Sequence, residues 1–381
     1  MMPFFDDDHV ALRARVRDWA EKYLFKPAEA NLEDRARQIV GQLGSEKFLT
    51  HVISKDNGGA RDHVSARDLC ILREELARGD ALADAMLAIQ ALSSYPITLA
   101  GSEEQKRRYL PLIASGHSVG AFALTEPQAG SDISSLATQA VRRGSAFQLT
   151  GTKSFISNAG IADNYIVFAS TKPELRGKGI SAFIIDANAP GLKVEEKTPL
   201  LSPHPIGVIG FDHCMVSENS LIGKEGQGLQ IALKTLDLLR CTVGAAAVGL
   251  AQRALEEAVK YSKQRRQFGR AIADFQATQF KLAEMATSLE AARMLVYQAA
   301  WAHDSDADAV KQKSSMAKLH ATEAAQQIID QALQIHGATG LIAGGVMERL
   351  YRDVRALRIY EGTSEIQKMI IARELLKERR A

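Results

Sequence analysis

The chain has little of what marks several protein classes. Only three of its 381 residues are cysteines, Cys70, Cys214 and Cys241, and they are far apart with no CxxC pair among them. That excludes a disulfide scaffold and a cysteine zinc site, and predicts reduced, buried thiols in a cytosolic protein. No apolar run is long enough to cross a bilayer, and the basic residues near helix ends read as solvated surface, so a membrane role is not expected. The first residues, "MMPFFDDDHV", are acidic where a secretory leader would be basic, with no apolar segment after them. A net charge of +2 leaves no excess of either sign for nucleic acid or an acidic partner. No spacing of His, Cys and carboxylates matches a metal site, so no metal is expected. There is no tandem repeat and no low-complexity stretch. What remains is an ordinary globular composition, 46% hydrophobic and 24% charged, in a chain long enough for two or three domains.

The pattern of residues divides into helical, strand and helical parts. Up to about residue 115 the chain is rich in Ala, Leu and Glu and poor in β-branched residues, as in "SARDLCILREELARGDALADAMLAIQALSSYPI". In "SEEQKRRYLPLIASG", Ser102 and Gln105 stand in capping-box spacing and Gly116 ends the segment. Seven short runs follow: "GAFALTE", "TQAVRR", "AFQLTG", "NYIVFAST", "SAFIIDA", "LKVEEK" and "GVIGFDHCMV". Separated by Gly, Pro, Asn and Asp, they predict a small antiparallel sandwich or barrel. From about 223 the pattern is helical again. Leu282, Met285, Leu289, Ala292 and Val296 form one apolar stripe, and the small residues of "VGAAAVGLA" permit close helix approach. The expected fold is therefore multidomain α+β: an N-terminal helical domain (1–116), a middle β domain (117–222) and a C-terminal four-helix bundle (223–381).

Five segments carry groups suited to chemistry. In "RIYEGTSEIQ", Ser364 and Gln367 again have capping-box spacing, so a helix is expected to begin at Ser364. Glu361 then sits on a turn made possible by Gly362, either as a general base or as an ordinary solvated turn residue. "ALTEPQAGSD" is a loop of hydroxyls and amides able to hydrogen-bond a flat ring or a phosphate, or a plain polar turn. In "GTKSFISNAG", Phe155 between Ser154 and Ser157 is either core or the cover of a ring system. In "QRRQFG", Arg265 and Arg266 are either forked donors to a pyrophosphate or a solvated helix end. In "QIHGATG", Gly337 and Gly340 allow close backbone approach, and His336 reads first as a satisfied helix-end residue.

In this order and at these spacings the segments resemble the acyl-CoA dehydrogenases, over nearly the whole chain. The resemblance implies FAD as cofactor, with Phe122, Thr125, Ser131, Phe155 and Ser157 lining the flavin. It implies that Arg265, Phe268, Gln334 and Gly337 hold the pyrophosphate and adenosine of an FAD bound mainly by a neighbouring subunit, in a homotetramer in preference to a homodimer. Thr363 and Glu365 match positions near the cofactor; Ser131, Asp237, Arg240, Tyr360 and Gly362 match positions near the acyl-CoA. Glu361 matches the base that takes the α-proton while the β-hydrogen leaves as hydride to flavin N5, giving a trans-2-enoyl-CoA. Electrons then pass to an electron-transfer flavoprotein; the cytoplasmic location expected is the one the cysteines suggest. Some branches place the base just before the arginine of "LDLLR", where this chain has Leu239, which accepts no proton. The chain also departs from the pattern. Phe155 stands where tryptophan is common, Phe122 where tyrosine is common, and "LLSPHPIGVIG" lacks an arginine found there in relatives. The alternatives on the same fold are an acyl-CoA oxidase or flavin monooxygenase; outside it, a helical binding or assembly protein that has lost the cofactor.

Overall fold

The computed structural model describes residues 4–25, 31–307 and 309–377; Met1 to Pro3 of the acidic N-terminal stretch lie outside them. By internal contacts the chain forms two compact units. One gathers Met1–Pro27, Ser65–Asp84 and Arg240–Ala381; the other gathers Ala28–Val64 and Ala85–Leu239.

In the first unit lie α1 (Asp7–Tyr23) and α3 (Ala66–Gly79), while α2 (Leu32–Ser45) belongs to the second. Two helices, α4 (Ala81–Ala100) and α6 (Gly228–Gln264), contribute residues to both units. The second unit also holds α5 (Glu103–Ala114). The first is completed by α7 (Gln276–Asp304), α8 (Val310–His336), α9 (Val346–Ala356) and α10 (Ser364–Leu375). In it α3 packs on α1 and α7, and α8 packs on α7, α9 and α10. The expected stripe on α7 is buried at Met285, Leu289, Ala292 and Val296. Glycine sets the helix spacing. A Cβ at Gly244 of α6 would lie 2.8 Å from the Val296 side chain of α7, and one at Gly249 would lie 2.1 Å from the Glu74 carbonyl of α3. Gly→Ala inside a helix normally stabilises by about 1 kcal/mol. Here the neighbour is backbone and cannot yield, so Gly249→Ala is expected to cost about 1–3 kcal/mol, read as a lower midpoint in urea unfolding.

Two buried carboxylates of this unit are well partnered. Glu74 accepts from Arg13 Nη2 (2.7 Å), Arg293 Nε (3.0 Å) and the Tyr297 hydroxyl (2.7 Å). Asp304, at the end of α7, accepts from the Ser65 hydroxyl and from the Ala66 and Arg67 N–H groups at the start of α3. A carboxylate there completes the open N–H groups of the helix and opposes its positive end.

The second unit contains β1 (Gly120–Ala123), β2 (Gln139–Arg143), β3 (Ala146–Ser157), β4 (Asn164–Ser170), β5 (Ile180–Asp186), β6 (Leu192–Lys197), β7 (Ile206–Ser217) and β8 (Leu221–Ile222). All seven expected runs are strands; β8 is an additional two-residue one. They form one hydrogen-bonded sheet in the order β6-β7-β3-β2-β4-β5-β8, with β1 paired to β4. The pairing departs from the expected antiparallel pattern at two places. β1 runs parallel to β4, and β2 meets β4 in parallel at Gln139–Ser170 alone. That single link joins two arms whose inward residues share one core: Phe147, Leu149 and Ile209 from one arm, Tyr165, Val167 and Phe183 from the other. Before the sheet, α5 begins at the expected box, Ser102 accepting from the Gln105 N–H and Gln105 returning to the Ser102 N–H. Among the described residues no helix is long and apolar enough to cross a membrane, and the three cysteines are free and buried.

Candidate active site

Glu361 lies between α9 and α10 at φ +52°, followed by Gly362 at φ +90°. Two consecutive left-handed residues make a sharp turn, and the first is a costly conformation for a side-chain-bearing residue. The expected cap is displaced by one position. Thr363, not Ser364, caps α10, its hydroxyl accepting from the Ile366 N–H. Ser364 instead donates to Glu323 of α8, and Gln367 Nε2 donates to the Gly362 carbonyl.

The Glu361 side chain is 9% exposed. Its Oε1 stands 3.9 Å from Arg73 Nη1, beyond hydrogen-bond reach, and Oε2 is buried with no partner among the described residues. Burial pushes the carboxyl above its ordinary value; Arg73, Lys318 and Arg240 pull it down, and Asp84 pushes it up. Arg73 is itself held by Asp84 in a two-pronged pair, Nε to Oδ1 at 2.7 Å and Nη2 to Oδ2 at 2.9 Å, and by the Thr242 hydroxyl at 3.0 Å. Lys318 of α8 donates to the Tyr360 carbonyl (2.7 Å) and to the Gly362 carbonyl. Burial pulls its ammonium down to about 8. The result is a desolvated carboxylate among fixed cations, a state in which a weak acid becomes a useful base. It has one orphaned oxygen, and no hydrogen bond among the described residues takes its own N–H.

Of the residues expected from the sequence, the structure gathers Tyr360, Gly362 and Arg240 around Glu361; it adds Arg73, Asp84 and Lys318, which the sequence reading did not single out. For Lys318 a signal existed. It lies among Ser314, Ala317, Ala321, Thr322 and Ala325, on the buried face of α8, where a lysine is out of place. Of the other expected residues of this unit, Arg265, Phe268, Gln334, Gly337 and Glu365 are exposed, and Thr363 serves as the cap described above. Phe268 tops the hairpin of β9 (Arg266–Gln267) and β10 (Arg270–Ala271), 94% exposed at φ +50°. Gly337 has φ +58° and open space around its would-be Cβ. His336 is the satisfied residue expected, its Nδ1 2.7 Å from the Ala332 carbonyl and its ring stacked on Tyr261.

In the second unit the expected flavin-lining residues fall on β1, β3 and the loop between β1 and β2. Phe122 is half-buried, its ring 5.0 Å from that of Phe168. The register of β3 against β7 shifts between Lys153 and Ile156, and Phe155 takes φ +54°. Such a bulge re-aims a side chain. Lys153 and Ile156 point inward while Phe155 is turned out, 59% exposed. That excludes the core reading. Lys153, fully buried, donates to the Leu124 carbonyl (3.0 Å) and to Glu126 (2.7 Å), and Glu126 also accepts from the Ala137 and Thr138 N–H groups. This pair pins the loop that carries Thr125 and the exposed Ser131. Ser157 lies 3.0 Å from His204 Nε2, so a histidine occupies the stretch that lacks the family arginine. Asp237 is half-buried on α6. The groove lined by Gln105, Tyr109, Ile184 and Ser220 holds none of these residues. Gln105 is paired there to the Asn219 and Leu221 carbonyls, which makes the groove a structural seam.

In the second unit, an outward aromatic at a strained bulge, beside hydroxyls on a pinned loop, has the chemistry to take a flat ring such as an isoalloxazine; in the first, the exposed Arg265 has the chemistry to take a phosphate. Comparisons with known proteins identify the family. Acyl-CoA dehydrogenase N-terminal, middle and C-terminal domain models match residues 6–117, 121–214 and 226–376. The chain is 42% identical to the 3-(aryl)acrylate reductase of Clostridium sporogenes, over 98% of this chain and all of that one. It is 39% identical to the CarC subunit of the caffeyl-CoA reductase-Etf complex of Acetobacterium woodii, over 98% and 100% of the two chains. The solved butyryl-CoA dehydrogenase of Megasphaera elsdenii superposes with a TM-score of 0.91 at 34% identity, covering 98% of this chain and 99% of that one. The chain belongs to the acyl-CoA dehydrogenase family of FAD-dependent oxidoreductases.

Proposed function

We propose that the protein interconverts an acyl-CoA and its trans-2-enoyl-CoA, with Glu361 as the base at the α-carbon. The observation that carries this is the Glu361 carboxylate itself: buried, with one unpartnered oxygen, at a strained turn, facing cations that it does not hydrogen-bond. In the oxidative direction the α C–H bond breaks and its proton goes to Glu361, while the β C–H bond breaks with its electron pair and the C=C bond forms. Bound FAD supplies the acceptor for that electron pair and its hydrogen. The Glu361 N–H is oriented by the turn for the thioester oxygen, where negative charge develops, and Arg73 adds a fixed positive field nearby. Phe155 and Phe122 would cover the ring, Thr125, Ser131 and Ser157 would offer hydrogen bonds to its edge, and Arg265, Phe268, Gln334, Gly337, Thr363 and Glu365 would hold the remainder of the cofactor. Asp237, Arg240 and Tyr360 border the acyl-CoA.

A second reading concerns direction. Two relatives are named as reductases. Run backwards, a protonated Glu361 delivers the proton to the α-carbon, and its raised pKa suits an acid as well as a base. The partner in either direction is an electron-transfer flavoprotein, as the name of the CarC complex suggests. The exposed Phe268, Leu341 and Ile342 support assembly with further copies, which the reading takes to be a homotetramer, and the free thiols support a cytoplasmic location.

The test is the visible spectrum of the FAD-loaded protein under anaerobic addition of butyryl-CoA, longer acyl-CoAs and arylpropanoyl-CoAs. One of these thioesters is expected to bleach the flavin band and yield its enoyl-CoA. The chemically reduced protein is expected to be reoxidised by the matching enoyl-CoA. A flavin band unmoved by every thioester in both directions overturns the reading. Rapid reoxidation by air with stoichiometric peroxide moves it to an oxidase.

A further inference from the structure

We propose that Lys318 is the positioning residue of this site, holding the Glu361 turn in its reactive shape through the carbonyls on either side of the base. The inference rests on the reading of Glu361 as that base. Lys318 is 1% exposed. A buried ammonium needs strong acceptors, and those it finds belong to one short segment: the Tyr360 carbonyl and the Gly362 carbonyl. These two carbonyls lie in the peptide planes immediately before Glu361 and after Gly362. Fixing both planes fixes the two left-handed residues between them, at φ +52° and +90°. Without the clamp, a glutamate at positive φ relaxes toward an ordinary conformation and its carboxylate swings away.

The same helix holds the segment a second time. Glu323 of α8 accepts from the Ser364 hydroxyl at 2.7 Å and pairs with Arg358 at 2.7 Å. The turn is thus fastened at both ends; Gln367 Nε2 shares the Gly362 carbonyl, and Lys318 is the group that ties that carbonyl to the Tyr360 carbonyl on the other side of the carboxylate. Its charge has a further consequence. The charged and titratable groups that act on Glu361 are Arg73, Lys318, Asp84 and Arg240, and Tyr360 adjoins it. Removing Lys318 subtracts one of three cations that keep the base ionised.

The experiment uses the full-length, FAD-loaded protein carrying Lys318→Met, Lys318→Gln or Lys318→Arg, with Glu361→Gln alongside. Stopped-flow bleaching of the flavin is followed with butyryl-CoA and 3-phenylpropanoyl-CoA against pH. For Lys318→Met the limiting rate is expected to fall about 100-fold, the scale of a misplaced reacting group. The half-saturating thioester concentration stays within about threefold of wild type, and the pH of half-maximal rate moves up, since both effects act on the base and not on binding. Lys318→Gln keeps a donor and recovers part of the rate without the pH midpoint; Lys318→Arg recovers part of both. A Lys318→Met enzyme that loads FAD and bleaches at the wild-type rate and pH overturns the proposal. So does failure of all three variants to load FAD, which makes the role structural. If Glu361→Gln itself bleaches at the wild-type rate, the base assignment falls and this inference with it. If Glu361→Gln is inactive while Lys318→Met is unaffected, only the present inference falls.

Discussion

Glu361→Gln is expected to keep its FAD and to lose roughly 10²–10⁴-fold in the rate at which an acyl-CoA bleaches the flavin, the usual range for removal of a positioned base. The substitution retains size and polarity, so the turn and the cap at Thr363 survive. In the wild type the rate should rise with pH through the raised pKa of the buried carboxyl, because only the ionised form accepts the proton. The variant has no such limb. Stability should move the other way. With its folded-state pKa raised above the ordinary 4.5, the carboxyl favours the folded state fully below that value, and the favour is lost as pH rises through the folded value. At pH 8 the glutamine variant, which has no charge to bury, is therefore expected to unfold at a temperature no lower than wild type. A markedly less stable variant would show that the carboxylate is held by attractive contacts in excess of its burial cost. The two readouts, flavin bleaching and thermal unfolding, separate a catalytic group from a structural one.

Asp84→Ala is expected to give the largest loss of stability at the site. Asp84 and Arg73 are both buried and meet through two hydrogen bonds. Removing one partner of such a pair leaves an uncompensated charge and typically costs about 3–5 kcal/mol. The cost should appear as a lower midpoint in denaturant, measured with FAD in excess so that cofactor loss does not enter. The change also alters the base. Arg73, relieved of Asp84, has Glu361 as the anion 3.9 Å from its Nη1, and a negative charge that pushed the Glu361 carboxyl upward is gone. The pH of half-maximal flavin reduction should thus move down, opposite to the shift expected for Lys318→Met. An unchanged denaturation midpoint would mean that water or Thr242 replaces Asp84 at no cost. An upward pH shift would mean that Asp84 acts on Glu361 through geometry.

The parts of this molecule that were legible in its sequence are those set by neighbours in the chain. The Ser102–Gln105 box is a local exchange of two hydrogen bonds, and it forms as spelled. The seven strand runs and the α7 stripe are periodic, and periodicity survives folding. The same box spelled at Ser364 and Gln367 does not form, because Gly362 and Glu361 adopt left-handed angles and place Thr363 at the cap. That displacement is tied to Lys318, which is 44 positions from Gly362. Arg73 with Thr242 spans 169 positions, and the parallel pairing of β1 with β4 likewise joins residues with no local spacing to read. Motif knowledge pointed to Glu361 as a base; the groups that tune and hold it carry no motif. Phe155 shows the intermediate case. Its residue type suggested a ring cover or core, and the choice depended on a bulge that the sequence around it does not spell.

The dispersed origin of the first compact unit sets the order of its biosynthesis. Glu74 emerges from the ribosome early, yet Arg293 and Tyr297, which bury and satisfy it, follow 219 and 223 positions later. At translation rates of about 5–20 residues per second, that interval is roughly 10–45 s. Throughout it α3 exists without α7, while the sheet, whose strands all lie between residues 120 and 222, is complete before Arg293 is made. Once residue 222 has been made, the nascent chain therefore holds every strand of its sheet while the buried face of α3 still waits for α7.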